Sequence, residues 1–458
     1  MGATTDLSGC ETTLPPDACE PWNATMRAFL AHAAATPDHL AETFAAAPDF
    51  AQGHAVKGIF CMLLGRRELV TTAREALAAA DAAAAKISPN PREQVYIEAL
   101  RDWLAGRPSA AASRFETLLL TDPRDALAMK LVQAIRFVLG QPDQMRRSIE
   151  LILPVWGDHP ALGYLKGCYA FALEETGDYA AGEKAGREGL LLAPDDAWGL
   201  HAVAHVYDMT ARAADGLYWL SGQTKAWEHC NNFRYHVWWH IALMHLDLGQ
   251  IDEVLSLYDD EIRGDKTDDY RDISNAASLL SRLEVEGVNV GDRWDELATL
   301  SENRTEDGAV VFADLHYMLS LIGGGRQSAI KTMMKRMSHD ATRYRSDSDR
   351  ITERPGLSAA AGLEAYGEGH YADAFLNLAA ARADMQKIGG SHAQRDVFER
   401  LTIEAALRGG FLDAADTLLQ DRTRRRGGAV DGYSSRRMAL IASARHEAAQ
   451  HVESGMPA

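Results

Sequence analysis

Apolar residues recur along the chain at i, i+3, i+4, i+7 and i+8, as in Tyr96, Ala99, Leu100, Trp103 and Leu104. That spacing lays one stripe down one face of an α-helix. Alternation of β-branched residues, the mark of a half-buried strand, is rare, and alanine is abundant. The chain therefore reads as helical nearly throughout. Gly65, Gly106, Gly140, Gly177, Gly249, Gly369 and Gly410 each follow an apolar-periodic stretch, where a helix is expected to stop. Gly106 to Gly140 is 34 residues, Gly140 to Gly177 is 37, and Gly177 to Gly249 is 72, or two units of 36. Pro123, Pro160 and Pro194 run in step, 37 and 34 apart, each before a helix start.

One glycine turn and one proline start per 34–37 residues describe a repeated helical hairpin. "LAGRPSAAASRFETLLLTDP", "ETGDYAAGEKAGREGLLLAP" and "LGQIDEVLSLYDDEI" each carry a turn and then a second helix with small residues at packing positions. These are cues of tetratricopeptide-type repeats, in which small residues let paired helices approach. Farther on the units lengthen: Gly325 to Gly369 is 44 residues and Gly369 to Gly410 is 41. The expected fold is all-α, a right-handed solenoid of helical hairpins closed by its irregular C-terminal part. Residues 1–19 read as a flexible tail. Residues 20–458 read as a single solenoid, with regular units over about 51–263 and irregular ones over about 264–450.

The 458 residues are 47% hydrophobic and 24% charged, an ordinary balance for a globular chain, with a net charge of −18. Such a surface repels phosphate backbones and anionic lipid, so no nucleic-acid or membrane partner is expected. No apolar run reaches membrane-spanning length, and the N-terminus has neither the basic nor the apolar region of a secretory signal. Cys10, Cys19, Cys61, Cys168 and Cys230 show no CxxC spacing, which fits a reducing cytoplasm.

Six of the sixteen histidines lie between His201 and His245, and five of the nine tryptophans between Trp198 and Trp239. "HAVAH" sets His201 and His205 at i, i+4, and "HVWWH" does the same for His236 and His240. His201 to His236 and His205 to His240 are each 35 residues, one repeat. Equivalent helices of neighbouring repeats lie side by side, so the two pairs should form one patch on the concave wall. Continuing the count leads to Asn275 and then to Asp314 and His316 in "FADLHYML".

Three readings fit this patch. Histidines can pack inside helices, satisfied by neighbours and water. They can ligate zinc or iron, for which HxxxH on a helix is a usual two-ligand geometry, with His201, His205, His240 and His316 as candidate ligands. There is no HExxH, so any carboxylate would come from Asp208 or Asp314. Or they can form a metal-free pocket for acid–base chemistry, walled by aromatic rings. Trp198, Trp219 and Trp227 read as inter-repeat packing, and one of Trp238 and Trp239 should flank the His236/His240 face.

Weaker candidates lie elsewhere. Arg282, Glu284, Asp292 and Arg293 read as structural ion pairs. "GGSHAQRDVFER" opens a helix that could hold an anion, but without the GxxxxGK[ST] pattern nucleotide binding is unsupported. "DRTRRRGG" is a basic run that reads as a solvated face or as internally paired.

"HAVAHVYDM", "YHVWWHIALMHLDLGQIDEVLSLYDDEI", "SLLSRLEVEGVNVGDRW", "FADLHYMLSL" and "GGSHAQRDVFERLTIEAAL" resemble, in this order, the tetratricopeptide repeat protein 38 family. The resemblance covers roughly Trp22 to His446 and implies a tetratricopeptide-like solenoid. It carries no general activity. The residues on its motifs are His201, His205, Trp239, His240, Asp314, His316, Ser391, Gln394, Arg395 and Asp396.

Two functions follow as expectations. In the first, favoured by the phase-matched histidines, a pocket binds and transforms a small molecule by histidine acid–base or metal-assisted chemistry. His201, His205, His240 and His316 act there, and Asp314 orients a histidine. His236, Trp239, Asn275, Gln394 and Arg395 hold the ligand, Arg395 through an anionic group. In the second, a non-catalytic scaffold binds a partner peptide in an open groove. Ala-rich faces leave a homo-oligomer open.

Overall fold

The computed structural model describes residues 4–454. Helices follow one another in antiparallel pairs: α1 (Cys19–Leu30) and α2 (Thr36–Ala46), α3 (Ala51–Leu63) and α4 (Leu69–Lys86), α5 (Pro91–Leu104) and α6 (Pro108–Thr121), α7 (Ala126–Val138) and α8 (Pro142–Ile152). Then come α9 (Leu162–Glu175) and α10 (Tyr179–Leu192), α11 (Ala197–Met209) and α12 (Ala213–Leu220), α13 (Phe233–Asp247) and α14 (Ile251–Leu257). The later pairs are α15 (Tyr270–Val285) and α16 (Arg293–Glu302), and α17 (Val311–Gly323) and α18 (Gln327–Asp340). After the short α19 (Asp347–Ile351) come α20 (Leu357–Gly367) and α21 (Tyr371–Arg382), α22 (His392–Arg408) and α23 (Leu412–Arg425), and the closing α24 (Gly432–Ser454). The fold is an all-α helical-repeat solenoid of tetratricopeptide-like hairpins.

The expected glycine turns are present. Gly65, Gly106, Gly140, Gly177, Gly249, Gly325, Gly369 and Gly410 take φ between 61° and 84°, a left-handed conformation that ends a helix at little cost only without a Cβ. The doubled interval from Gly177 to Gly249 hides one more turn, between α11 and α12. Ala211 makes it at φ 54°. First helices stack on first helices, α9 on α11 and α13 on α15, and carry the most buried stripes.

Two expectations change. Residues 1–19 are not a loose tail over their described part. Thr4–Thr5 and Glu11–Thr12 pair as a small antiparallel ladder. Asp6 binds Arg92 at 2.5 Å, and Arg92 also binds Asp125 at 2.7 Å. Ser8 Oγ accepts from the Ala126 amide at the start of α7, and Leu14 is buried. Hairpin pairing also continues past Arg263, with longer connections rather than different units. The last few residues, expected to be loose, end outside the described range.

The later hairpins turn back onto the earlier ones along one edge, where the first helices end. Arg304 reaches Glu68 beyond α3 at 2.9 Å. The Asp347 amide donates to Gly106 O beyond α5 at 2.9 Å, and Gln386 Nε2 to Gly140 O beyond α7 at 3.2 Å. Arg395 binds Glu175 at the end of α9 at 3.0 Å, and Arg426 binds Asp208 in the last turn of α11 at 3.2 Å. The Gly432 amide meets Asp247 of α13 at 2.7 Å, and Arg436 meets Glu286 after α15 at 2.8 Å. Helix C-termini leave carbonyls unpaired and carry partial negative charge, so N–H donors and guanidinium groups suit them. This seam narrows the concave side, and α22 packs against both α11 and α15.

Candidate functional site

The concave side holds a cavity of about 440 Å³ that is partly open to solvent. Its walls come from the first helices α1, α3, α7, α9, α11, α13, α15 and α17, and from the approach to α22. Most of the lining is apolar: Phe29, Phe60, Phe137, Phe171, Phe233 and Phe312 all face it. Trp198, expected as packing alone, is also on the wall. A smaller cavity of about 240 Å³ lies next to it, and Leu63, Val138, Val310 and Ile388 line both.

The two HxxxH pairs converge as the repeat spacing requires. His205 Nε2 lies 2.7 Å from His201 Nε2, which lies 3.0 Å from His236 Nε2, which lies 3.2 Å from His240 Nε2. One nitrogen of each ring thus meets at a single point between α11 and α13. His201 and His236 also line the cavity, while His205 and His240 sit behind them, fully buried. Burial is the main force on all four, pushing His236 down to about 4 and the others well below the usual imidazole range; neighbouring rings add to it at His201, His205 and His240, and Arg271 adds to it at His236 against the hydrogen bond to Asn275. The cluster is therefore neutral at physiological pH.

The outer nitrogens set the tautomers. His236 Nδ1–H donates to Asn275 Oδ1 at 3.2 Å, which leaves its Nε2 as a bare lone pair. His205 Nδ1 faces a Glu174 carboxylate oxygen at 3.6 Å. Glu174 is wholly buried, and neither of its oxygens has a hydrogen-bond partner. Burial first, and then Glu175, raises its carboxyl well above the usual range. His201 Nε2 stands in two contacts but carries at most one proton. Neutral imidazoles cannot make a full N–H···N bond at all three contacts, whereas a cation at the centre satisfies four lone pairs together. Tetrahedral zinc–imidazole bonds of about 2.0–2.1 Å give nitrogen–nitrogen edges of about 3.3 Å; three contacts here run from 2.7 to 3.2 Å, and all four nitrogens lie within 4.8 Å of one another.

Several sequence candidates lie elsewhere. His316, expected as a ligand in the place His236 takes, is not in the group. Its Nδ1–H donates to Phe312 O at 2.7 Å, and burial holds it down at about 3. Asp314 does not orient a histidine, because Arg336 holds both of its oxygens at 2.7 and 3.0 Å. Arg395 is committed to Glu175 and to the Gly389 and Gly390 carbonyls, so it is not free to hold a ligand anion. The anion expected at the start of α22 is the protein's own Glu175 carboxylate, which accepts from the His392 amide at 2.5 Å. Gln394 closes a capping box with Ser391 and lines the cavity. Trp239 stacks on His236 with ring centres 5.2 Å apart, and Asn275 faces both His236 and the cavity. Arg293 pairs with Asp259 as expected, but Arg282 has only carbonyl partners, Ser278 O and Ala393 O, and burial lowers it to about 9. The basic run pairs internally through Arg422, Arg424, Arg425 and Arg426.

Three residues were missed. His32, at φ 58°, is stacked between Trp198 and Phe233 on the cavity wall, with Nε2 unpartnered. Lys130 is buried on α7 and faces the cavity. Glu174 stands behind His205. The signal for Lys130 was legible: a lysine amid the apolar run "ALAMKLVQAI" sits where a buried face is due. His32 and Glu174 gave no local sign.

Fold and site together define a helical-repeat protein with an aromatic-walled cavity beside a four-histidine cluster. No family model matches the chain. Among solved structures it is similar to yeast Tom70, over 95% of this chain and 88% of that one, at 11% identity and a TM-score of 0.34. A likeness that loose carries no argument, and the repeat assignment rests on the hairpins themselves. Among the described residues, no helix is long and apolar enough to cross a membrane.

Proposed function

We propose that the protein binds a small molecule in its central cavity against a metal ion held by His201, His205, His236 and His240, and acts on it there. The observation that carries this reading is the meeting of four Nε2 atoms within 2.7–3.2 Å along the chain of contacts, with an outer nitrogen donating to Asn275. Imidazole ligands suit zinc and iron; four of them fill a tetrahedral site, so such an ion would polarise a ligand oxygen or activate water only by taking a fifth ligand on the cavity side, beside His201 and His236. The aromatic walls would orient the ligand. The ties across the concave side bound the cavity, which supports this reading over peptide docking in an open groove. The motifs shared with the tetratricopeptide repeat protein 38 family fall on the cluster, on the helix Val311–Gly323 and on the start of α22, which supports membership of that family. The five unpaired cysteines fit a cytoplasmic setting.

The test is metal analysis by mass spectrometry on untagged protein purified without chelators, beside a His205→Ala/His240→Ala variant. The expected result is near-stoichiometric zinc or iron, lost in the variant while its helical circular dichroism persists. Metal-free wild-type protein that cannot be loaded with either ion would overturn the metal centre.

A further inference from the structure

The cavity contains one charge that the fold leaves uncompensated. Lys130 is 4% exposed and lines the cavity, yet no carboxylate lies within ion-pair distance of its ammonium among the described residues. Its contacts are the Cys168 sulfur at 3.8 Å and the face of Trp198, 5.3 Å from the ring centre. Asp196, the acid that feels it most, sits against Gly167 and Gly199 beyond that reach. The other cation lining the cavity, Arg271, is spoken for by Asp269 at 2.6 Å. An ammonium withdrawn from water without a counter-charge is costly, and a protein that keeps one in a cavity wall has a place for an anion. Gln133, one turn along α7, also lines the cavity, with its Nε2 donating to Met145 O at 3.1 Å. Phe137, the next turn on, begins the apolar wall.

We infer that the cavity takes a monocarboxylate with an apolar, aromatic-sized body, its carboxylate seated on Lys130 and its body between Phe29, Phe60, Phe137 and Phe233. One ammonium balances a single negative charge. A phosphate dianion would call for a second cation or a guanidinium fork, and neither is free here. This inference rests on reading the cavity as a ligand site, but not on which ion the histidines hold.

The probes are 4-phenylbutyrate and its neutral counterpart 4-phenylbutyramide, titrated calorimetrically into full-length protein. The expected result is that wild-type protein binds the acid at least about tenfold more tightly than the amide. In Lys130→Met that preference collapses, while amide binding persists. Equal affinities in the wild type, binding of neither probe, or a preference that survives in Lys130→Met would each overturn the inference. Should Lys130→Met not fold, Lys130→Gln serves in its place, and the wild-type ratio decides the ligand class by itself. Metal content measured on the same samples separates the two readings. Metal-free protein that selects the acid through Lys130 removes only the metal centre. Metal-loaded protein indifferent to the acid removes only the carboxylate.

Discussion

At the scale of single residues, the groups that matter are those whose surroundings do not satisfy them. Glu174 is an acid with no hydrogen-bond partner, 3.6 Å behind the outer nitrogen of His205. Outer-shell carboxylates of this kind fix the tautomer and ring angle of a ligand histidine. Glu174→Gln should weaken metal affinity by about 10- to 100-fold without loss of helicity, read by competition with a chelator. Unchanged affinity would mean that His205 is oriented without it. Lys130 makes the opposite kind of prediction. With no ligand bound, Lys130→Met should raise stability by about 1–3 kcal/mol, since it removes a buried cation that nothing pairs. A thermal melt checks the sign, and a lower melting temperature would show that the ammonium has a partner in the empty protein. Periodicity made the four histidines legible, because two i, i+4 pairs one repeat apart can only be neighbours. It failed at His316, which shares a face with the cavity-lining Phe312 but sits on α17, with α15 between it and the cluster.

Among elements, the same glycine turn does different work at different places along the seam. Gly177 has φ 84° and open space where a Cβ would go, so Gly177→Ala should cost only the left-handed strain of about 1–2 kcal/mol. Gly140 has φ 63°, and a Cβ there would stand 1.7 Å from Gln386 O. Gly140→Ala should therefore add about 1–3 kcal/mol of overpacking to that strain. Equal denaturation midpoints for the two variants would show that the Gln386 loop yields freely. The α22–α24 junction sets a pH limit. Asp396 and Asp431 share Arg422, at 2.7 Å each. Burial raises both carboxyls, but Arg422 outweighs it, helped by Arg400 at Asp396 and by Arg426 at Asp431, and both end below the usual carboxylate range. Their folded values lie below the unfolded one, so their contribution is whole above about pH 4 and fades as pH falls below it. Stability should drop steeply in acid, and Asp431→Asn should make that slope shallower in denaturant titrations across the range. The turns were legible because glycine marks them locally. Ala211 escaped notice because its left-handed backbone has no compositional mark.

Across the whole molecule, the seam decides how the array behaves. Stacked repeats touch only their neighbours and can unravel piecemeal. Here the seam ties residues far apart in sequence, such as Glu68 to Arg304 and Gly106 to Asp347. Tryptophan fluorescence and circular dichroism should therefore report one coincident urea transition. Arg304→Ala, which cuts the tie to Glu68 beyond α3 and the one to Asp268 before α15, should separate them, the N-terminal hairpins melting first. Coincident curves in the variant would show that this tie does not couple the halves. Local sequence could not show the seam, since its partners lie far apart and carry ordinary residues. Hairpins and histidine phase were visible, whereas the enclosing of the cavity, and with it Lys130's isolation, depended on those distant ties.

The seam also sets an order of events during synthesis. His240, the last of the four ligands, leaves the ribosome about 150 residues before α22 arrives to cover the site, roughly 8–30 s at the usual pace of translation. For that interval α11 and α13 can stack and bring their imidazoles together while the concave side is still open to water. The nascent chain thus has a loading window, in which an ion can reach the cluster directly, before the later hairpins shut over it.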